Sequence, residues 1–239
     1  MFQKPKRLHW LDSLRGVLIL MMTVYHFGFD LSLFAKGSVD PYSTPWVLLA
    51  RVVQFGFLTV VGASLYLSSK NAPDYPQWLR RMELRALKLF CVAMGITLVT
   101  WIAVPEGFIR FGILHLISAS ILLGALLLPS VALTTLSLLL SLALGIYFSG
   151  LTTPYSFLIP FGIVPDSFYT YDYFPLFPWL SVVLAGILIA RWLDRRSLLK
   201  NPSKLGRSFA LEKIGQRSLL IYLLHQPILL GILWALFHL

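Results

Sequence analysis

An all-α, polytopic membrane bundle of about seven helices is the fold class this sequence predicts, and three observations carry the prediction. Of the 239 residues, 57% are hydrophobic and only 13% charged, about half the charged share of an ordinary soluble domain. The 55 positions from Phe111 to Pro165 hold no Asp, Glu, Lys or Arg, whereas one membrane span takes only about 20 residues. The charges that remain are gathered into clusters between apolar runs. No repeat, low-complexity tract or soluble module stands out, so residues 1–239 read as a single transmembrane domain.

The spans follow from the apolar runs and their punctuation. The first covers Leu14–Phe34, the second Trp46–Ser68, the third Leu84–Val104 and the fourth Phe108–Leu128. Pro129-Ser130 breaks the chain tightly into a fifth, Val131–Ser149. The sixth covers Phe174–Trp192, and the seventh runs from Gln216 to the C-terminus. Basic residues before the first run invite a signal-peptide reading. That run carries His26 and Asp30 and is followed by no small-residue cleavage site, so a retained helix is expected. The segment 150–173, with Pro154, Pro160, Pro165 and seven Phe and Tyr residues, reads as structured and interfacial.

Orientation follows from charge. The formal net charge is +10, and the basic residues fall in three groups. The first is Lys4, Lys6, Arg7 and Arg15; the second is Lys70, Arg80, Arg81, Arg85 and Lys88. The third is Arg191, Arg195, Arg196, Lys200, Lys204, Arg207, Lys213 and Arg217. The connections 35–45, 105–109 and 150–173 hold only Lys36. The positive-inside rule places the N-terminus, 69–83 and 191–215 in the cytoplasm and the C-terminus outside, with the basic groups against an anionic bilayer. Nothing resembling a nucleic-acid reader accompanies the charge, so no nucleic-acid partner is expected. The single Cys91 cannot form an intrachain disulfide, and no Cys/His metal-ligand spacing occurs.

Ionisable residues at membrane depth are costly and point to function. His26 lies about 16 Å along the first helix from Arg15, slightly beyond the midplane if Arg15 marks the inner boundary. Asp30 follows at i+4, where a carboxylate can orient the imidazole. The alternative is an interior His held by a hydroxyl, with Asp30 marking the outer interface. Arg51, with Gln54 at i+3, is either a snorkelling interfacial Arg or an outward cation that pairs with Asp30 or holds substrate. His115 stands in the fourth span with Ser118 at i+3. His225 and Gln226 precede Pro227, which frees carbonyls for them to engage; a kink-stabilising polar pair is the bland reading.

The first helix opens Leu11-Asp12-Ser13-Leu14-Arg15-Gly16 and ends its apolar run in Tyr25-His26. This resembles the opening signature of the transmembrane acyltransferases. Three further stretches resemble the bacterial branch allied to the heparan-α-glucosaminide N-acetyltransferase catalytic domain. They are Arg110-Phe-Gly-Ile-Leu-His115, Asp172-Tyr-Phe-Pro-Leu-Phe-Pro-Trp179, and the segment Gly215 to Pro227, which holds Leu-Leu-His225-Gln226-Pro227.

That resemblance implies a membrane enzyme moving an acyl group, typically acetyl, from cytoplasmic acetyl-CoA or another acyl-CoA to a carbohydrate acceptor outside. No metal is implied. The His at the position of His26 would be the catalytic base or a transient acyl carrier, with Asp30 beside it. Arg15 would face the CoA phosphates and Asp12 would cap the first helix; Arg51, Gln54, His115, His225 and Gln226 are the substrate-binding candidates. The chain holds no outer domain able to grip a polysaccharide, so heparan itself is not the expected acceptor. The expected location is a bacterial cytoplasmic (inner) membrane, with a homo-oligomer left open. Two rivals remain: a proton-coupled transporter, in which His and Asp relay protons, and a non-catalytic membrane scaffold.

Overall fold

The computed structural model describes residues 9–35, 39–199 and 208–238. Lys4, Lys6, Arg7, Lys36, Lys200, Lys204 and Arg207 lie outside the described residues. Among the described residues all regular structure is helical: α1 (His9–Phe34), α2 (Thr44–Lys70), α3 (Tyr75–Ala103), α4 (Ile113–Leu127), α5 (Val131–Phe148), α6 (Leu176–Arg195), α7 (Phe209–Gln216) and α8 (Ser218–His238). Six of these are long and apolar enough to cross a membrane; α4, with 15 residues, is shorter.

Each expected span is present as a helix, and the departures have local causes. The third begins at Tyr75 rather than Leu84, because Asp74 accepts the Gln77 N–H at 3.1 Å and a Pro opens the first turn. The charged residues Arg80, Arg81 and Glu83 therefore lie in the helix, ahead of its apolar stretch. The fourth starts at Ile113 rather than Phe108. Hydropathy counts Phe108, Ile109 and Phe111 as span, but Gly112 is extended and the Phe174 N–H is bonded to the Phe111 carbonyl at 3.0 Å. Those residues belong to a hydrogen-bonded loop. The eighth helix, α7, is absent from the seven-span reading because it is short and amphipathic. Ser208 caps it, and its buried residues are Glu212 and Gly215.

The chain divides into two compact units. One comprises residues 61–198. There the ends of neighbouring helices are tied together: Lys70 and Asp194 form an ion pair at 2.5 Å, and Asp194 also accepts the Tyr66 hydroxyl at 2.9 Å. At the opposite ends, the Tyr171 N–H bonds the Gly107 carbonyl at 3.0 Å and Thr170 bonds the Phe108 carbonyl at 2.8 Å. Basic ends thus meet basic ends, and the connections poor in Lys and Arg meet each other. Trp78 is buried with its indole N–H on Ser68 at 3.0 Å.

The second unit comprises the described residues up to Val60 together with those from 199 onward. A small core of Ile19, Met22 and Val53 gathers Leu49, Phe57, Ile214, Ile221 and Tyr222. Helix α7 lies against the first turns of α1 at unusually close range. A Cβ on Gly215 would collide with the carbonyl oxygen of Asp12, and one on Gly16 with that of Leu211. His9 and Glu212 close the same contact at 2.9 Å. At the far end, Phe34 stacks on Phe237, so α1 and α8 run parallel.

Candidate active site

The second unit collects most of the residues singled out from sequence. On α1, one helical turn separates His26 from Asp30; on α8, His225 and Gln226 are consecutive. The two helices meet through both pairs. The His26 and His225 rings lie 4.9 Å apart between centroids, and Gln226 Nε2 donates to Asp30 Oδ1 at 2.8 Å. Asp30 is 1% exposed and His225 9%; His26 is half-buried. Tyr25 packs edge-on against His26 and tilts toward Trp46, whose ring covers Gly28.

The carboxylate behaves differently from the sequence expectation. Asp30 takes the amide of Gln226 and orients neither His26, its i+4 neighbour, nor Arg51. Among the described residues His26 makes ring contacts and no hydrogen bond. Arg51 donates to Gln54 at 3.1 Å on an exposed face, so that pair forms locally, apart from Asp30. The i+4 spacing brings His26 and Asp30 to one face, but Gln226 offers a better donor from across the helix contact.

His225 takes a defined tautomer from its partner. Its Nδ1 lies 2.6 Å from the Tyr222 carbonyl. A carbonyl only accepts, so Nδ1 carries the proton and donates it, which leaves Nε2 with the lone pair of a neutral imidazole. Pro227 contributes no N–H to the same turn, and the side chain works within that loosened stretch of helix.

Three buried atoms here have no hydrogen-bond partner among the described residues: Asp30 Oδ2, Gln226 Oε1 and His225 Nε2. Because Gln226 turns its NH₂ toward Asp30, its free atom is the carbonyl oxygen, an acceptor. The set therefore offers acceptors on two touching helices, and buried polar atoms without partners are rare outside functional sites.

At the opposite end of α1, Arg15 is half-buried and pairs with Asp12 at 2.7 Å. Asp12 is buried inside the first turn; helix α1 begins three residues earlier, at His9, so Asp12 is not its cap. The pairing instead ties Arg15 down beside the α7 contact.

His115 falls in the other unit, with partners of its own. Its Nδ1 accepts the Gly112 N–H at 3.2 Å, and Thr97 Oγ1 lies 3.4 Å from Nε2. Ser118 serves the Ala86 carbonyl at 2.8 Å, not the imidazole. Asp172 completes this arrangement by accepting the Ile113 N–H at 2.9 Å. Two of the sequence motifs, joined by a hydrogen bond between positions 59 residues apart, thus form one device around the N-terminus of α4. Burial pushes the Asp172 carboxyl up to about 6, against the opposing pull of the Ile113 N–H. Its place in the Asp-Tyr-Phe-Pro motif was legible, but nothing in the spacing assigned it the amide of another helix.

Six helices long and apolar enough to cross a membrane mark a polytopic integral membrane protein. The sequence profile of the heparan-α-glucosaminide N-acetyltransferase catalytic family matches residues 7–227, and the chain belongs to that family. It is thereby a membrane protein of an acetyltransferase family. No curated protein and no solved structure matches it.

Proposed function

We propose that this protein moves an acetyl group from cytoplasmic acetyl-CoA to an amino sugar or related glycan on the outer side of a bacterial cytoplasmic membrane, with His26 as the reacting imidazole. The observation that carries the reading is the contact between His26 and His225 beside three buried, unpartnered acceptors. A ring free of hydrogen bonds can attack a thioester or take a proton. The acceptor-only surroundings suit a nucleophile rich in N–H or O–H donors. The nucleophilic amine, with two N–H donors beside its lone pair, can satisfy two of the acceptors Asp30 Oδ2, Gln226 Oε1 and His225 Nε2, whereas a lone hydroxyl satisfies one.

Arg15, at the end of α1 that carries the basic residues, is a candidate for the CoA phosphates, which a guanidinium matches in charge and geometry. Arg51 and Gln54 are candidates to hold the acceptor. The experiment is a direct one. Purified protein and its His26→Ala variant are tested for acetyl-CoA binding by thermal shift and for transfer to a panel of amino sugars. The wild type should bind and transfer, and the variant should bind while losing transfer by at least about 100-fold. A wild type that neither binds nor consumes acetyl-CoA would move the site to the proton-relay reading.

A further inference from the structure

We propose that His225 is a second catalytic residue, a proton shuttle that takes the proton of the attacking acceptor on Nε2 and hands it to His26. The inference rests on the acyltransferase reading above and deepens it by dividing the work between the two rings.

Three features of the geometry assign that role. The Tyr222 carbonyl, 2.6 Å from Nδ1, holds His225 in the tautomer whose Nε2 is basic. That Nε2 is buried and has no partner among the described residues, so its lone pair is not consumed by the fold. The ring it must serve is adjacent, with the centroids 4.9 Å apart. His26 differs on each count: it is half-buried, and no carbonyl or carboxylate selects its tautomer. A ring without a positioning bond is suited to forming a covalent bond, whereas a ring locked by its Nδ1 is suited to moving protons.

The steps balance without a further reactant. In the first, a nitrogen of His26 bonds to the acyl carbon of acetyl-CoA and the C–S bond breaks. CoA leaves as thiolate and takes the proton released by the other His26 nitrogen. In the second, the amine nitrogen bonds to the acyl carbon while the bond to His26 breaks. The amine proton passes to His225 Nε2 and from there to the departing His26 ring, so both imidazoles return to their neutral state. Asp30 and Gln226 take no proton in this scheme; their mutual hydrogen bond ties α1 to α8, and their unpartnered oxygens face the incoming amine as hydrogen-bond acceptors.

The test uses the full chain in detergent or nanodiscs and separates the half-reactions. Radiolabelled acetyl-CoA without acceptor reports acyl-enzyme formation. Transfer is then followed to the amino sugar that the wild type acetylates best in the panel above. The key variant is His225→Asn, whose side-chain NH₂ can still donate to the Tyr222 carbonyl but which has no basic nitrogen. It should form acyl-enzyme at the wild-type level. It should lose about 100-fold or more in kcat of transfer with KM changed little, and lose the limb of the pH–rate profile that belongs to the base. His26→Ala should form no acyl-enzyme at all.

If His225→Asn transfers within about threefold of wild type, a step far below what general bases supply, the shuttle is wrong. So it is if the variant fails equally in both half-reactions while keeping the wild-type unfolding temperature. Should His225→Asn not fold, His225→Ala with added imidazole takes its place: restored transfer supports the shuttle, and absent rescue in a folded protein overturns it. A wild type that neither labels nor transfers removes the acyltransferase reading itself, a result distinct from any failure of His225 alone.

Discussion

Asp30 and Gln226 stand 196 positions apart in the chain, and the amide of one donates to the carboxylate of the other at 2.8 Å. The bond ties α1 to α8 one turn beyond the His26–His225 contact. Asp30 is buried and Gln226 half-buried; Asp30 keeps its second oxygen, and Gln226 its one amide oxygen, unpartnered among the described residues. Removing either side chain alone would leave the other stranded in an apolar environment, at a cost of about 1–3 kcal/mol. Gln226→Leu and Asp30→Leu should each lower the unfolding temperature in detergent, while the double variant should lose much less than the sum. Additive losses in that double-mutant cycle would show the hydrogen bond contributes nothing to holding the helices.

Close approach of backbones at α1 and α7 makes a second prediction. Gly16 and Gly215 belong to two different sequence motifs, and each lies against a carbonyl of the opposite helix. A methyl group at either must push the helices apart, which typically costs about 1–3 kcal/mol in a packed contact. Gly95, on α3, has nothing within 4 Å of a built Cβ. Gly95→Ala should therefore be neutral or stabilise by up to about 1 kcal/mol through helix propensity, while Gly215→Ala destabilises. Equal responses of the two variants in a thermal melt would contradict the packing account.

Asp172 gives a pH dependence whose sign is fixed by its shift. Burial raises its folded pKa to about 6, above the ordinary value of 3.8. Between those values the folded state holds a proton that the unfolded chain has lost. The contribution to stability is therefore fully present below about pH 4 and is lost as the pH rises through about 6. Asp172→Asn keeps an oxygen for the Ile113 N–H and cannot ionise. The unfolding temperature of the wild type, relative to this variant, should fall as the pH is raised from 4 to 7. A constant difference over that range would mean that the carboxyl does not titrate in the folded loop.

Gly112 supplies a matching steric prediction for the same device. A Cβ there would run into the Asp172 carboxylate. Gly112→Ala should weaken the bond from Ile113 and shift unfolding downward, and combining it with Asp172→Gly should recover part of the loss. No recovery in the double variant would place the strain elsewhere.

What the sequence determined by itself was the class of molecule and the sorting of its polar groups. Spans of apolar residues and loops of basic ones are statements about solvation, and solvation is local, so seven of the eight helices could be read from hydropathy and punctuation. The motifs carrying His26, His115 and His225 were legible for the same reason. Pairing was not. Whether Asp30 bonds His26, Arg51 or Gln226 depends on which helices touch and at what register, and helical periodicity within α1 carries no information about α8.

Helix α7 escaped because eight amphipathic residues give a weak hydropathy signal; its place is set by Gly16 and Gly215, whose meaning appears only when two backbones approach. The tautomer of His225 was likewise decided by tertiary structure together with the turn containing Pro227: a ring nitrogen donates or accepts according to the atom opposite it, here the carbonyl of Tyr222. Composition made this a membrane protein, and the helix contacts determined which of its few buried polar atoms are left without a partner among the described residues.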